Sequence, residues 1–112
     1  MRYAALIYIK PGSHEALDES EGAAVRGEYY ALSSDPGCTG GDQLQGVETA
    51  TTVRVQDGRT LTTDGPFADT KEFLGGFYLL DAADLDQAIA FAARIPAARM
   101  GGSVEVRPLM ER

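Results

Sequence analysis

The stretch RYAALIYI at residues 2 to 9 decides the fold, because its apolar side chains occupy both alternating sets of positions. One set is Tyr3, Ala5, Ile7 and Ile9, and the other is Ala4, Leu6 and Tyr8. Successive residues of a strand point to opposite faces of a sheet. The stretch LGGFYLL at residues 74 to 80 has the same property. Both segments are therefore predicted to be central strands that need cover on two faces.

A first helix is predicted over residues 19 to 34. Asp18 is placed to cap its N-terminus, and Glu21 lies three residues on, as in a capping box. An apolar stripe follows at helical spacing: Val25, Tyr29 and Leu32. Gly22 and Gly27 each cost a helix about 1 kcal/mol relative to Ala. This helix is therefore expected to depend on tertiary packing.

A second helix is predicted to begin after Asp84, whose side chain can cap it with Gln87 at the third position. Its apolar stripe consists of Leu85, Ala88, Ile89, Ala92 and Ile95. Pro96 is expected to end it, because a residue that precedes proline avoids helical geometry. The last strand is predicted at residues 103 to 107, and Pro108 suggests a strand end or a sheet edge.

The stretch VRVQDGRTLT at residues 53 to 62 predicts a β-hairpin. Asp57 and Gly58 form the two-residue type I′ turn that such hairpins favour. The register of that turn puts Val53, Val55, Thr60 and Thr62 on one face, and Arg54, Arg59 and Leu61 on the other. The glycine-rich segment between the first helix and Gly46 has no strong pattern and is interpreted as a loop.

The predicted order β-α-β-β-β-α-β is typical of a single α+β domain, here residues 1–112. Two helices separated by strands normally lie together on one face of an antiparallel sheet. The other face would then expose a contiguous apolar patch, which is unusual for a monomer. We therefore expect a homodimer formed through the sheet faces, with two-fold symmetry.

Composition excludes several classes of partner. The formal net charge is −7, and phosphate binding needs clustered Lys and Arg, so neither nucleic acid nor a membrane surface is expected. The one cysteine, Cys38, cannot form an intrachain disulfide, which favours a reducing, cytoplasmic location. His14 has no second histidine or cysteine at ligand spacing, so no metal is expected. The glycine pairs lack the spacing of a phosphate loop, and no cofactor is expected.

The segment DGPFADTKE at residues 64 to 72, followed by LGGFY at residues 74 to 78, resembles the signature of the DGPF branch of the YCII-related proteins. Only Asp69 departs from the usual sequence of this motif, which has Glu at that position. The hairpin and the last strand also resemble those of the family, so the likeness covers most of the chain. It implies a ferredoxin-like α+β fold, two copies packed as a dimeric α+β barrel, and a cleft near the DGPF loop.

The resemblance also implies a frequent association with extracytoplasmic-function sigma factors in bacteria. In another branch of the family a His and an Asp are proposed to act as an acid-base pair, with the His on the first helix. That helix here offers Glu28 and Tyr29, whereas His14 lies in the preceding loop. The pair is therefore not carried over to this chain.

Three ionisable residues of the motif are the candidate catalytic groups: Asp64, Lys71 and Glu72. If the loop covers a cleft, burial can shift their pKa values toward general acid or base function. The candidate binding residues are Pro66, Phe67, Tyr8 and Tyr78. A purely structural reading stays open, in which Asp64 binds turn amides, Lys71 pairs with Glu72, and the aromatic residues belong to the core or a dimer contact.

Three functions follow from these alternatives. The first is a small-molecule binder or acid-base enzyme that uses the cleft beside the DGPF loop. The second is a regulatory partner of a sigma factor that binds through the acidic surface. The third is a structural domain that has lost its chemistry.

Overall fold

A computed structural model describes residues 1–65 and 71–112 of the chain. Within these ranges the strands are Arg2–Ile9 (β1), Cys38–Gln43 (β2), Thr51–Gln56 (β3), Arg59–Asp64 (β4), Phe73–Asp81 (β5) and Ser103–Pro108 (β6). The α-helices of the same ranges are Glu19–Ser33 (α1), Leu85–Ala93 (α2) and Pro96–Arg99 (α3). A 3₁₀ turn at Val47–Thr49 precedes β3.

The main sheet has the strand order β2-β5-β1-β6, and every neighbouring pair is antiparallel. Without the separate β3–β4 hairpin, the elements run β-α-β-β-α-β, and the first and third strands of this series lie in the centre. This is the ferredoxin-like arrangement, so the predicted α+β fold class is confirmed. The residues 2 to 9 form a central strand, as their two apolar faces predicted.

The glycine-rich segment that was interpreted as a loop contains an edge strand, β2, so that prediction was wrong. Its sequence CTGGDQ carries no apolar alternation, which is the usual signal of a strand. Strand β2 requires the glycine at position 41. Its φ is +138°, and a Cβ there would lie 2.3 Å from the carbonyl oxygen of Phe77, so β2 pairs with β5 only because that side chain is absent.

Helix α1 begins as predicted. The Glu21 backbone N–H donates to Asp18 Oδ1 at 2.7 Å, and the Asp18 N–H donates to Glu21 Oε1 at 3.0 Å, which completes the capping box. Val25 and Leu32 are buried, and Tyr29 is half-buried. The predicted stripe therefore faces the sheet.

Helix α2 is capped by Asp84, which accepts a hydrogen bond of 2.9 Å from the Gln87 N–H. Its buried face differs from the predicted stripe. Leu85 and Ile89 are each 49% exposed, whereas Phe91, which the stripe omitted, is buried. The helix is short and packs through Ala88, Phe91 and Ala92, which leaves the other two apolar side chains on its outer side. Helix α2 ends at Ala93, before Pro96 as predicted, and Pro96 then starts α3.

The core lies on one face of the main sheet. Its strand side chains are Tyr3, Ala5, Ile7, Tyr78 and Leu80, and its helix side chains include Leu32, Ala88 and Phe91. The ring of Phe91 meets Tyr78 edge-on, with the ring centroids 5.5 Å apart. This contact fixes α2 against the middle of the sheet.

The opposite face of the main sheet, here called the open face, carries the other alternating set: Ala4, Leu6, Tyr8, Phe77 and Leu79. These five side chains are only half-buried. The described helices all pack on the core face. The open face is therefore apolar but incompletely covered by residues 1–65 and 71–112.

The β3–β4 hairpin has the predicted turn and register. Asp57 and Gly58 have φ angles of 51° and 74°, and Val53 lies opposite Thr62. The hairpin forms its own two-stranded sheet, and nearly all of its residues are exposed. At its base the Gly65 N–H donates to the Ala50 carbonyl at 2.7 Å. The hairpin therefore projects from the body of the subunit.

Candidate functional site

A cavity of about 470 Å³ lies between α1 and the main sheet, and it is here called the α1 cavity. Its apolar and aromatic lining includes Ile7, Ile9, Val25, Tyr29, Tyr30, Phe77 and Tyr78. Its polar lining includes His14, Arg26, Ser33, Asp42 and Gln43. An apolar pocket with a few polar groups is the usual composition of a small-molecule site.

A chain of three polar side chains enters this cavity. His14 Nε2 lies 3.0 Å from Tyr29 Oη, and His14 Nδ1 lies 3.0 Å from Ser13 Oγ. The loop after β1 brings the histidine there, because it folds into turns in which the Ala16 N–H donates to the Gly12 carbonyl at 3.0 Å. Both imidazole nitrogens are therefore held in hydrogen-bonding contact, which fixes the ring.

Burial sets the protonation of this pair. It lowers the pKa of His14, and the charge of Glu15 acts in the opposite direction but less strongly. Burial raises the pKa of Tyr29, although a hydrogen bond from the backbone of Ala97 and the nearby charge of Arg99 act against the rise. At neutral pH the imidazole is neutral and the phenol is protonated. The pair thus contains a proton donor in contact with a proton acceptor.

Tyr78 joins the site to the core. Its hydroxyl donates a hydrogen bond of 2.9 Å to the backbone carbonyl of Tyr29. Burial raises the pKa of Tyr78, and a hydrogen bond with the Ser33 side chain acts against the rise. Tyr78 therefore contributes to the wall of the cavity, while its hydroxyl is used in holding α1 on β5.

Glycines allow the sheet to form the floor of the cavity. A Cβ at Gly76 would lie 2.8 Å from the carbonyl oxygen of Asp42, and one at Gly75 would lie 2.3 Å from Ile9 Cδ1. Close packing of β5 against β1 and β2 therefore accounts for the Gly75-Gly76 pair, in agreement with the absence of a phosphate-loop pattern.

The residues that the sequence analysis singled out lie mostly away from this cavity. Asp64 ends β4 and is exposed, and Lys71 is also exposed. Glu72 is half-buried and accepts a hydrogen bond of 2.7 Å from Ser103 Oγ. Tyr8 lies on the open face, whereas Tyr78 lines the α1 cavity. Pro66 and Phe67 lie outside the described residues.

Sequence reasoning did not find the His14–Tyr29 pair. The residues are fifteen positions apart in the chain, and they meet only because the loop after β1 turns back along α1. The available signal was Tyr29 itself, a residue of the buried stripe whose hydroxyl needs a partner.

Within residues 1–65 and 71–112, no three acidic, histidine or cysteine side chains are grouped so that they could hold a metal ion. In the same ranges no helix has the length and apolar character needed to span a bilayer.

The fold and the cavity define a ferredoxin-like α+β protein with a small-molecule-sized pocket. The chain belongs to the YCII-related domain family, whose model matches residues 1–112. It is 40% identical to an uncharacterized protein of Rhizobium meliloti (strain 1021), over 97% of this chain and 92% of that protein.

A solved structure supports the fold. The chain is similar to a 5-chloro-2-hydroxyhydroquinone dehydrochlorinase from Burkholderia phenoliruptrix, in complex with 2,5-dihydroxybenzoquinone. The TM-score is 0.56 at 18% identity, with 100% of this chain and 96% of that chain covered. At this identity the likeness confirms the fold and carries no residue roles.

Proposed function

We propose that the protein binds a small ring compound in the α1 cavity and catalyses a proton transfer on it, with Tyr29 and His14 as the acid-base pair. The observation that carries this proposal is the 3.0 Å contact between Tyr29 Oη and His14 Nε2 within a cavity of about 470 Å³. General acid-base catalysis needs such a pair within hydrogen-bonding distance.

The proton route follows from the protonation states. When a bound substrate gives up a proton to Tyr29 Oη, the phenol passes its own proton to His14 Nε2. The phenol is neutral before and after the transfer, and the positive charge appears on the imidazole. Ser13 Oγ, 3.0 Å from Nδ1, holds the ring in place for this transfer. Reversing the steps returns the proton to a different atom of the substrate, which makes the reaction an isomerisation.

The lining of the cavity supports a planar substrate. Tyr29, Tyr30 and Tyr78 supply aromatic surface, and Ile7 and Val25 supply aliphatic surface. Rings stack well against such walls. The dehydrochlorinase that shares the fold is described with a dihydroxybenzoquinone bound. Hydroxylated six-membered rings are therefore the first probes to use.

The test is a thermal-shift screen of hydroxylated aromatic compounds, because a ligand that binds the native state raises its stability by mass action. We expect a hit whose shift is lost in Tyr29→Phe, which removes one oxygen atom and keeps the ring. Tyr3→Phe is the matched control, since the Tyr3 hydroxyl contacts Met1 Sδ outside the cavity. A hit that Tyr29→Phe and Tyr3→Phe bind equally well would contradict the proposal.

The open face leads to a second part of the proposal. A second copy of the chain packs on Leu6, Tyr8, Phe77 and Leu79, and the two sheets together form the dimeric α+β barrel that the sequence predicts. The half-buried state of these side chains in the single subunit supports this pairing. The dimer would bury the apolar surface that the helices leave uncovered.

The remaining sequence-based hypotheses stay predictions. The catalytic role of Asp64, Lys71 and Glu72 stays a prediction that mutation tests, and the cytoplasmic location rests on the single cysteine. The sigma-factor interaction rests on the family resemblance alone, and no feature of the described residues favours it.

A further inference from the structure

Arg26 is the cation of the α1 cavity. It lies in the middle of α1 and lines the cavity together with His14 and Tyr29. Among the described residues, Arg26 has no ion pair or hydrogen bond from its side chain. By contrast, Arg94 pairs with Asp35, Arg99 with Glu28, and Arg107 with Glu105.

Within α1, no carboxylate is placed to pair with this guanidinium. Residues three and four positions away on a helix are its neighbours, and a carboxylate there would form an ion pair. For Arg26 these neighbours are Gly22, Ala23, Tyr29 and Tyr30, none of which is acidic. The nearest acidic residue of the helix in sequence, Glu28, is held by Arg99 of α3.

Gly22 also leaves space for the side chain. A Cβ at Gly22 would lie 3.3 Å from Arg26 Nη1, so the guanidinium lies over the turn where the helix has a glycine. Glycine inside a helix costs about 1 kcal/mol relative to Ala. Gly22 therefore lowers the stability of the helix, but it leaves space for the Arg26 guanidinium beside the cavity.

We propose that Arg26 binds the carboxylate of the substrate, so that the ligand of the α1 cavity is a small hydroxylated aromatic acid. This inference rests on the proposed function and adds the charge of its substrate. A planar guanidinium can donate two parallel hydrogen bonds to a carboxylate. In a protein with a net charge of −7, an anion needs such a local cation to bind.

The same arrangement orients the ligand. Asp42 of β2 lines the sheet side of the cavity, and its negative charge disfavours a carboxylate there. With the carboxylate on Arg26, the hydroxylated end of the ring is left for the His14–Tyr29 pair and for Asp42. Arg26 is therefore a specificity-determining residue, and the acid-base pair acts on the other end of the molecule.

The test compares 4-hydroxybenzoate with its neutral isostere 4-hydroxybenzamide by isothermal titration calorimetry. The imidazole resonances of His14 report occupancy of the cavity independently, since the chain has one histidine. We expect the acid to bind about tenfold tighter than the amide or better, because hydrogen bonds to charged groups are the stronger ones. Arg26→Gln should remove this preference, and Arg26→Lys should keep part of it.

Arg2→Gln is the matched control. It removes the same charge at the exposed start of β1, outside the cavity, and should leave the preference unchanged. If Arg2→Gln and Arg26→Gln lower acid binding equally, the effect is that of net charge and the inference is overturned. If both compounds shift the His14 resonances with equal affinity, the inference is overturned while the proposed function stands. If neither compound shifts them, both fail for this substrate class.

Discussion

The Tyr78 hydroxyl of β5 donates a 2.9 Å hydrogen bond to the backbone carbonyl of Tyr29 in α1. The residue that holds the helix on the sheet is thus bonded to the residue that carries the proposed proton donor. The same hydrogen bond therefore holds both the wall of the α1 cavity and the acid-base pair in place.

The contribution of this hydrogen bond to the free energy of unfolding can be measured. Tyr78→Phe removes the hydroxyl and keeps the ring that packs on Phe91, so it should lower the free energy of unfolding by about 1 kcal/mol. Urea unfolding followed by circular dichroism measures the change. Tyr3→Phe loses only a 3.7 Å contact with a methionine sulfur and should change stability less. Equal losses in the two variants would show that the Tyr78 hydroxyl has no special role.

The partial burial of His14 predicts how stability depends on pH. Its pKa in the folded protein lies below the ordinary value of about 6.5, so the unfolded chain binds a proton at higher pH than the folded protein does. The stabilisation that comes from neutral His14 is present above pH 6.5 or so and is lost as the pH falls toward the folded pKa. NMR titration of the imidazole gives the folded value directly.

The matched variant for this prediction is His14→Gln. Between pH 7.5 and pH 5.5, we expect the wild type to lose more stability than His14→Gln, because other groups titrate equally in both. These two pH values bracket the ordinary histidine pKa of about 6.5. A folded pKa at or above the ordinary value, or equal losses in the two proteins, would be the contrary result.

The contacts of Tyr29 also predict the tautomer of His14. A hydrogen bond from the backbone of Ala97 lowers the pKa of the Tyr29 phenol, and the phenol oxygen lies 3.0 Å from His14 Nε2. Since the oxygen accepts from Ala97, we expect the phenol to donate its own proton to Nε2. Nε2 then carries the lone pair, and Nδ1–H donates to Ser13 Oγ. Nitrogen-15 NMR of the single histidine should show the Nδ1–H form, and Tyr29→Phe should shift the population toward Nε2–H. The Nε2–H form in the wild type would rule out the proposed direction of proton transfer.

Two glycines should respond to alanine with opposite signs. Gly41 has a φ of +138° and no room for a Cβ, so Gly41→Ala should cost about 2 kcal/mol or more by detaching β2 from β5. Gly27 in α1 has nothing within 4 Å of its Cβ position, so Gly27→Ala should stabilise the protein by about 1 kcal/mol. Thermal unfolding of both variants measures the difference. A stable Gly41→Ala would contradict the pairing of β2 with β5.

The proposed dimer predicts a change in molecular mass. Leu6 lies in the middle of the open face, opposite Phe77 on one side and Glu105 on the other. Leu6→Glu places a charge on an apolar interface and should convert a dimer into a monomer, measured by light scattering at micromolar concentration. Ile89→Glu adds the same charge on the outer side of α2, where the side chain is 49% exposed, and should leave the dimer intact. A wild-type monomer would remove this part of the proposal.

The local elements of the fold could be predicted from the sequence because their signals are local. The capping box at Asp18 and Glu21 and the turn at Asp57-Gly58 each depend only on residues that are close in the chain, and the structure contains both. Strand β2 could not be predicted, because its pairing depends on glycines that meet β5 some 35 residues later. The buried face of α2 was predicted in part, since Ala88 and Ala92 are buried as expected, whereas Leu85 is exposed and Phe91 is buried.

The candidate site depends even more on tertiary structure. Sequence reasoning turned to the DGPF segment, where charged residues are close in the chain, and to a cleft beside it. Of the binding residues named for that cleft, Tyr78 lines the α1 cavity instead. The His14–Tyr29 pair is created by the turns after β1, and no spacing rule links a loop histidine to a helix residue fifteen positions on. The unpaired state of Arg26 is visible in the helix sequence, but its position beside a cavity is not.

The β3–β4 hairpin occupies the connection between β2 and β5, which are adjacent antiparallel strands. A tight turn would be enough to join two such strands, yet the chain places a whole hairpin there. An insertion at this point does not interrupt the packing of α1, α2 and the four-stranded sheet. Relatives can therefore lengthen, shorten or exchange this appendage during evolution while the subunit core stays the same, and differences in what they recognise are expected to accumulate in it.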